Sequence, residues 1–164
     1  MKRSQYLTFT LGHETLGLGI PRIKEILGYR EPTPVLRMPP HVRGVINLRG
    51  SVVPVLDLSI RFARQSQPIG RRACILVVEA DYKGEKHILG VIVDAVNEVL
   101  AIGSDDIEAP PPFGGTIRSE FLEGLAKVHG RFVALLDAGS VFDMTQLARL
   151  AGQSGHSTPK LAGT

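Results

Sequence analysis

The sequence predicts a mainly β protein: two copies of one five-stranded unit, each able to close a small barrel, with short helices behind them. Three observations carry that expectation: an internal repeat, short Val- and Ile-rich runs cut by Gly and Pro, and glycine-bounded turns at matching places in both halves. "GVINLRGSVVPVLD" at 44–57 lies over "GLAKVHGRFVALLD" at 124–137 without a gap. Gly44, Gly50, Val53, Leu56 and Asp57 coincide with Gly124, Gly130, Val133, Leu136 and Asp137. A second overlay puts "LGLGIPRIKEIL" at 16–27 over "LGVIVDAVNEVL" at 89–100 and matches Glu25 with Glu98. A general bias toward β-formers would not keep Gly, Glu and Asp in step.

Each unit opens with an alternating strand, "QYLTFTL" at 5–11 or "ACILVVE" at 73–79, and turns back as a hairpin across "GHETLG" or "DYKGEK". A third extended piece ends in Glu-Ile-Leu or Glu-Val-Leu. The connections that follow, 28–43 and 104–115, exceed what closure of a compact domain needs, and loops of that length are often functional. Pro32, Pro34, Pro39 and Pro40 stiffen the first. A strand, a tight turn and a strand complete the unit, with Gly50 and Gly130 where the turn requires positive φ. Five strands can close on themselves and so remove exposed edges. Asp57 and Asp137 are placed to cap short helices. Val141, Met144, Leu147, Ala148 and Leu150 fall at helical spacing and predict a final helix over 138–150. Residues 151–164, small and polar, read as a disordered tail. The expected division is one domain over 1–150, with a first barrel at roughly 14–65 and a second at roughly 72–138.

Composition narrows function mostly by exclusion. A hydrophobic fraction of 43% and a charged fraction of 21% suit a soluble globular protein. The first residues hold no continuous apolar segment, and no run reaches the ~18 apolar residues of a membrane helix. A cytoplasmic protein without membrane insertion is expected. A single cysteine, Cys74, excludes an internal disulfide and reads as a small buried hydrophobe. The histidines, His13, His41, His87, His129 and His156, are scattered, so no metal site is expected. There is no nucleophile elbow, phosphate loop or dinucleotide fingerprint, so no cofactor is expected either. Asp105-Asp106 reads as a loop or helix start, and Ser51 has no histidine nearby to activate it. The chain offers no catalytic set.

Nucleic-acid binding is the alternative that a net charge of +3 invites, but base-stacking barrels display aromatics, and here nine aromatics sit mostly at core positions. Protein interaction remains. Glu25 and Arg49 stand in the first unit as a late strand residue and a turn residue. The second unit keeps Glu98 but has His129 in place of Arg49, which points to a surface role for one half only.

"YLTFTLGHETLGLGI", "IKEILGY", "TPVLRMPPHVRGVINLRGSVVPVLDLSIRF", "LGVIVDAVNEVL" and "FLEGLAKVHGRFVALLD" resemble, in order, the CheW family of chemotaxis coupling proteins over about residues 5–150. The resemblance implies two five-stranded Src-homology-like barrels packed side by side, with the N-terminal strand able to complete the other lobe. It implies a non-enzymatic adaptor that couples the cytoplasmic tips of transmembrane chemoreceptors to the regulatory domain of the histidine kinase CheA in arrays at the inner face of the membrane. Whether the pathway drives flagella, twitching or another response is left open. Carried over by position, Ile23, Glu25, Arg49, Val96 and Val99 would contact receptor. Leu18, Ile20, Met38, Pro39 and Pro40 would contact kinase.

Overall fold

The computed structural model describes residues 2–62, 65, 68–110, 117 and 119–142. Its first half holds β1 (Arg3–Leu11), β2 (Glu14–Gly19), β3 (Ile23–Gly28), β4 (Val42–Leu48), β5 (Ser51–Asp57) and the single-turn helix α1 (Leu58–Arg61). The second holds β6 (Cys74–Tyr82), β7 (Glu85–Val93), β8 (Ala95–Gly103), the two-residue β9 (Ile107–Glu108), β10 (Leu122–Val128), β11 (Arg131–Leu136) and α2 (Ala138–Val141). Both hairpins form where the turns predict, with Leu11 opposite Glu14 and Tyr82 opposite Glu85. Asp57 caps α1 by accepting from the Ser59 and Ile60 N–H groups, and Asp137 caps α2 through the Gly139 N–H. Only the first turn of the helix expected over 138–150 is among the described residues. Its remaining positions 143–150 and the tail at 151–164 lie outside them.

The sheets do not divide the chain where the repeat does. A six-stranded sheet runs β8-β1-β2-β11-β10-β9, and a five-stranded sheet runs β3-β6-β7-β5-β4. The whole first hairpin, not the N-terminal strand alone, has joined the second lobe, and the β6–β7 hairpin has joined the first. The barrels expected at 14–65 and 72–138 are therefore interleaved. The swap is made by two parallel contacts that the repeat relates: Leu135 beside Gly17, and Val55 beside Gly90. At both positions glycine permits the approach. A Cβ on Gly17 would come within 2.8 Å of Leu135 Cδ2, and one on Gly90 within 3.3 Å of Val55 Cγ2 as well as 2.9 Å of Ile75 Cγ2 on β6.

Interleaving explains the core. Each lobe keeps a small cluster of its own, Tyr6, Ile102, Ala126, Val133 and Leu135 in one and Ile46, Val53, Val55, Ile75 and Ile92 in the other. The largest cluster joins the sheets: Leu7, Phe9, Leu16 and Leu18 from the first hairpin meet Leu76, Val78, Leu89 and Val91 from the other, with Leu58, Phe121 and Phe142 between. Phe9 is fully buried there, a side chain whose removal from water contributes about 1.5–3 kcal/mol. Arg61 spans the helices as well, donating to the Val141 and Ser140 carbonyls and lying 4.6 Å over the Phe121 ring. Cys74 is half-buried at the edge of this cluster, less enclosed than expected, with its thiol 3.4 Å from the Arg72 carbonyl.

Barrel closure explains the matched Gly44 and Gly124. Past β3 the chain bends back, and Thr33 exchanges hydrogen bonds of 2.8 and 2.9 Å with Val45. Past β8, β9 makes the equivalent closure, with Glu108 opposite Leu125. A Cβ on Gly44 would fall 2.2 Å from the Thr33 carbonyl oxygen, and one on Gly124 2.4 Å from Ile107 Cγ2. Gly44 also has a φ of +149°. Gly44→Ala should therefore destabilise the protein by about 2 kcal/mol or more, through strain and loss of closure. Gly28→Ala, with nothing within 4 Å of its new methyl, should leave the urea midpoint near wild type. Parallel denaturation curves of the two variants check this.

Candidate functional site

The five-stranded sheet ends in β3 on one side and β4 on the other, so its barrel closes at a seam between them. Three links cross the seam. The Thr33–Val45 pair is the backbone link. Arg30 Nη1 donates to the Asn47 carbonyl at 3.4 Å. At the open end the guanidinium of Arg49 forks onto Glu25, Nη1 reaching Oε1 at 3.3 Å and Nη2 reaching Oε2.

The β4–β5 turn is built to hold Arg49 out. Arg49 and Gly50 have φ of 50° and 86°, the two left-handed central residues of a type I′ hairpin turn. The Asn47 side chain accepts from the Gly50 N–H at 2.9 Å and ties the turn to its own strand. Arg49 is 70% exposed, whereas the Glu25 side chain is 29% exposed on the β3 face shared with Leu27. The hydrogen bond from Arg49, its charge and that of Arg30 hold the Glu25 carboxyl below the usual carboxylate range. The pair thus combines a well-seated carboxylate with a guanidinium that largely faces solvent.

The same seam in the other lobe is different. His129 and Gly130 repeat the left-handed turn, with φ of 52° and 79°. The backbone of Glu98 is held by Thr8, whose hydroxyl donates to its carbonyl and accepts from its N–H. A cleft of about 300 Å³ opens there, lined by Leu100, Ile102, Asp106, Lys127 and His129 among others. The asymmetry read from Arg49 against His129 is a real difference in surface.

Of the other positions expected to contact receptor, Ile23 and Val96 both lie half-buried against the inter-lobe cluster, one from each sheet. Val99, further along β8, is 49% exposed. Its repeat counterpart Ile26, 46% exposed on β3, was not picked out from the sequence, although the overlay that aligned Glu25 with Glu98 aligns these two as well. Leu36, at 89% exposure in the connection before β4, was also missed. Among the positions expected to contact kinase, Leu18 is 2% exposed and packs between the lobes because its hairpin is the exchanged one. Pro39 is buried too, and its carbonyl accepts from the Val42 N–H. Those two side chains build the core and the loop rather than a contact surface. Ile20 and Met38 are half-buried against the inter-lobe cluster, and Pro40 is exposed.

Among the described residues, four basic side chains that could have formed a track for nucleic acid are engaged within the protein. Arg22, Lys24 and Arg43 pair with Asp81, Glu79 and Asp57, and Arg61 is spent on the α2 carbonyls. Five aromatic side chains, Tyr6, Phe9, Phe62, Phe121 and Phe142, are buried. Among the described residues, no helix is long and apolar enough to cross a membrane.

Two outcomes follow from these contacts. Arg49→Gly should leave the denaturation midpoint no lower than wild type, because glycine relieves the left-handed backbone while an exposed ion pair contributes little. A clear fall in that midpoint would make the arginine a structural clasp. On the neighbouring face, the Lys86 hydrogen bond and charge, with smaller help from Arg22, hold Asp81 below its ordinary value. Its stabilising effect is present above the unfolded-state value of 3.8 and is lost as pH falls through the lower folded value. Lys86→Met should raise the Asp81 titration midpoint, as read by carboxyl NMR.

The CheW-like domain family matches residues 5–146. The chain is 32% identical over 144 residues to a chemotaxis protein CheW of Klebsiella aerogenes, covering 88% of this chain and 84% of that one. It is 33% identical to protein FrzA of Myxococcus xanthus, over 80% of this chain and 79% of the relative. The crystal structure of the scaffolding protein TtCheW from Thermoanaerobacter tengcongensis superposes with a TM-score of 0.77 at 33% identity, over 89% of this chain and 92% of that one. A duplicated five-strand unit, its barrels closed at Gly44 and Gly124 and its Arg49–Glu25 seam one-sided, belongs to a chain of the CheW-like family.

Proposed function

We propose that this chain is a non-enzymatic adaptor of bacterial chemosensory signalling that couples chemoreceptors to the histidine kinase CheA. The observation that carries the site assignment is Arg49, an arginine kept in a left-handed turn where glycine would be easier, with most of its side chain exposed. With it, Ile23 and Glu25 and, from the other sheet, Val96 and Val99 would offer apolar and carboxylate contacts of the kind a helical receptor tip would meet. The kinase contact is with its regulatory domain, through Ile20 before β3 and through Met38 and Pro40 in the first connection. The adaptor works in the cytoplasm and reaches the inner face of the membrane through the receptors it holds.

The test is a pull-down with the cognate CheA regulatory domain and a receptor signalling-tip fragment, comparing wild type with Arg49→Ala. Wild type should capture both. The variant should keep the kinase arm and lose receptor affinity by roughly ten- to a hundredfold, the usual range for a charged interface anchor. Equal loss of both arms, or loss of neither, would remove Arg49 from the receptor site.

A further inference from the structure

We propose that Arg30 is the reserve counter-ion of Glu25: when a carboxylate on the partner draws the Arg49 guanidinium away, Arg30 moves in beside Glu25. The proposal rests on the partner-binding reading of this seam and names both the group that the partner must present and the residue that lets Arg49 leave.

Glu25 creates the need. Its side chain is 29% exposed with Arg49 seated on it, and once Arg49 turns to a carboxylate on the partner, Glu25 would face that carboxylate as a like charge, which opposes binding. An arginine committed to one internal carboxylate would therefore be a poor contact for another. Arg30 meets the requirement. Its guanidinium already crosses the same seam, held by one long 3.4 Å hydrogen bond to the Asn47 carbonyl, a contact that yields easily. Its charge already acts on Glu25 in the same direction as that of Arg49.

The surroundings leave no other candidate among the described residues. Lys24, next to Glu25 in sequence, is held by Glu79 at 2.7 Å, and Arg22 lies against Asp81. The turn itself does not need Arg49 in place, because the Asn47 side chain holds the Gly50 N–H independently. The other lobe lacks the set: the overlays place Lys127 opposite Asn47 and His129 opposite Arg49, and three residues beyond the second overlay Gly103 falls opposite Arg30. Two guanidinium groups around one carboxylate also leave the seam with an unmatched positive charge, which selects an anionic group on the partner.

The exchange can be tested without any partner, by following the Glu25 carboxyl carbon through a pH titration in the full chain. In Arg49→Ala, Glu25 should still titrate below the ordinary carboxylate range, because Arg30 replaces the lost charge. In Arg49→Ala combined with Arg30→Gln it should return to that range, and Arg30→Lys in place of Gln should keep it low. A return to the ordinary value in Arg49→Ala alone overturns the proposal. A second arm measures affinity for the receptor-tip fragment: Arg30→Gln should weaken it about fivefold to tenfold although Arg49 is intact. Wild-type affinity in Arg30→Gln would overturn the role of the exchange in binding. Failure of the wild type to bind the fragment would instead count against the coupling reading, and the titration would still decide the exchange.

Discussion

Two parallel contacts, β2 against β11 and β5 against β7, fix where everything else in the molecule can sit. Each is eased by a glycine, Gly17 or Gly90, that presents no Cβ to the opposing Leu135 or Val55. Through them the hairpins cross between lobes, and a hairpin that crosses must bury its second face in the space between the sheets. That space holds the largest apolar cluster, built from both exchanged hairpins. The lobes therefore share their stabilisation instead of owning it, and neither sheet contains the strands of a single repeat. Helices α1 and α2, each started by a capping aspartate, cover the same cluster from the ends of β5 and β11, and Arg61 ties one to the other. Once the hairpins are placed, β3 and β8 are left as sheet ends, and the candidate contact residues lie on those two strands and on the turn beside one of them.

The seam beside β3 separates what closes the barrel from what is left facing solvent. Closure belongs to the backbone: two hydrogen bonds between Thr33 and Val45, and a glycine at position 44 that lets the carbonyl of Thr33 approach. Removing either would strand buried polar groups or create a steric clash, both of which cost far more than an exposed charge pair returns. Arg49 lies beyond this closure, at the turn. Its left-handed backbone opposes stability, and the ion pair to Glu25 is too exposed to justify it on structural grounds alone. An unfavourable local conformation kept at an exposed position, with a side chain able to form planar paired hydrogen bonds, is what supports the proposed receptor contact at Arg49.

Much of this was legible in the sequence because the repeat is read by residues whose chemistry is unambiguous. Gly50 and Gly130 announce left-handed turns, Asp57 and Asp137 announce helix starts, and all four are found in those roles. The exchange of hairpins was not legible, for a reason intrinsic to repeats. When two units carry the same alternation and the same glycines, β2 can satisfy β5 or β11 equally well as patterns, and only three-dimensional packing distinguishes them. Leu18, carried over from the family resemblance as a first-lobe contact, lies on the crossed hairpin, which buries it between the lobes. Pro39 was misread differently, since proline in a long connection suggests a stiff exposed surface, and here it is tucked under as an anchor. Arg30 carried no signal because it lies beyond the end of the overlay and acts through an Asn47 carbonyl, which no side-chain pattern encodes.

The two halves have kept one architecture and diverged where the seam opens. A strictly symmetric double barrel would present the same surface twice and could hold two copies of one partner, but it would bind two different partners no better than one. Keeping Gly44 with Gly124 and Asp57 with Asp137 preserves closure and capping in both lobes. Replacing Arg49 by His129, and Asn47 by Lys127, changes only the turn beyond the closure, so the difference in surface costs the scaffold little. In one lobe the seam carries Arg49 forked onto Glu25, with Arg30 on the Asn47 carbonyl; in the other a cleft opens between β8 and β10. An adaptor for two different partners needs unlike faces, and the divergence of these turns makes the Arg49 seam unlike its counterpart. What holds the lobes together is the apolar cluster that both exchanged hairpins build between the sheets, since among the described residues no strand of one sheet pairs with a strand of the other.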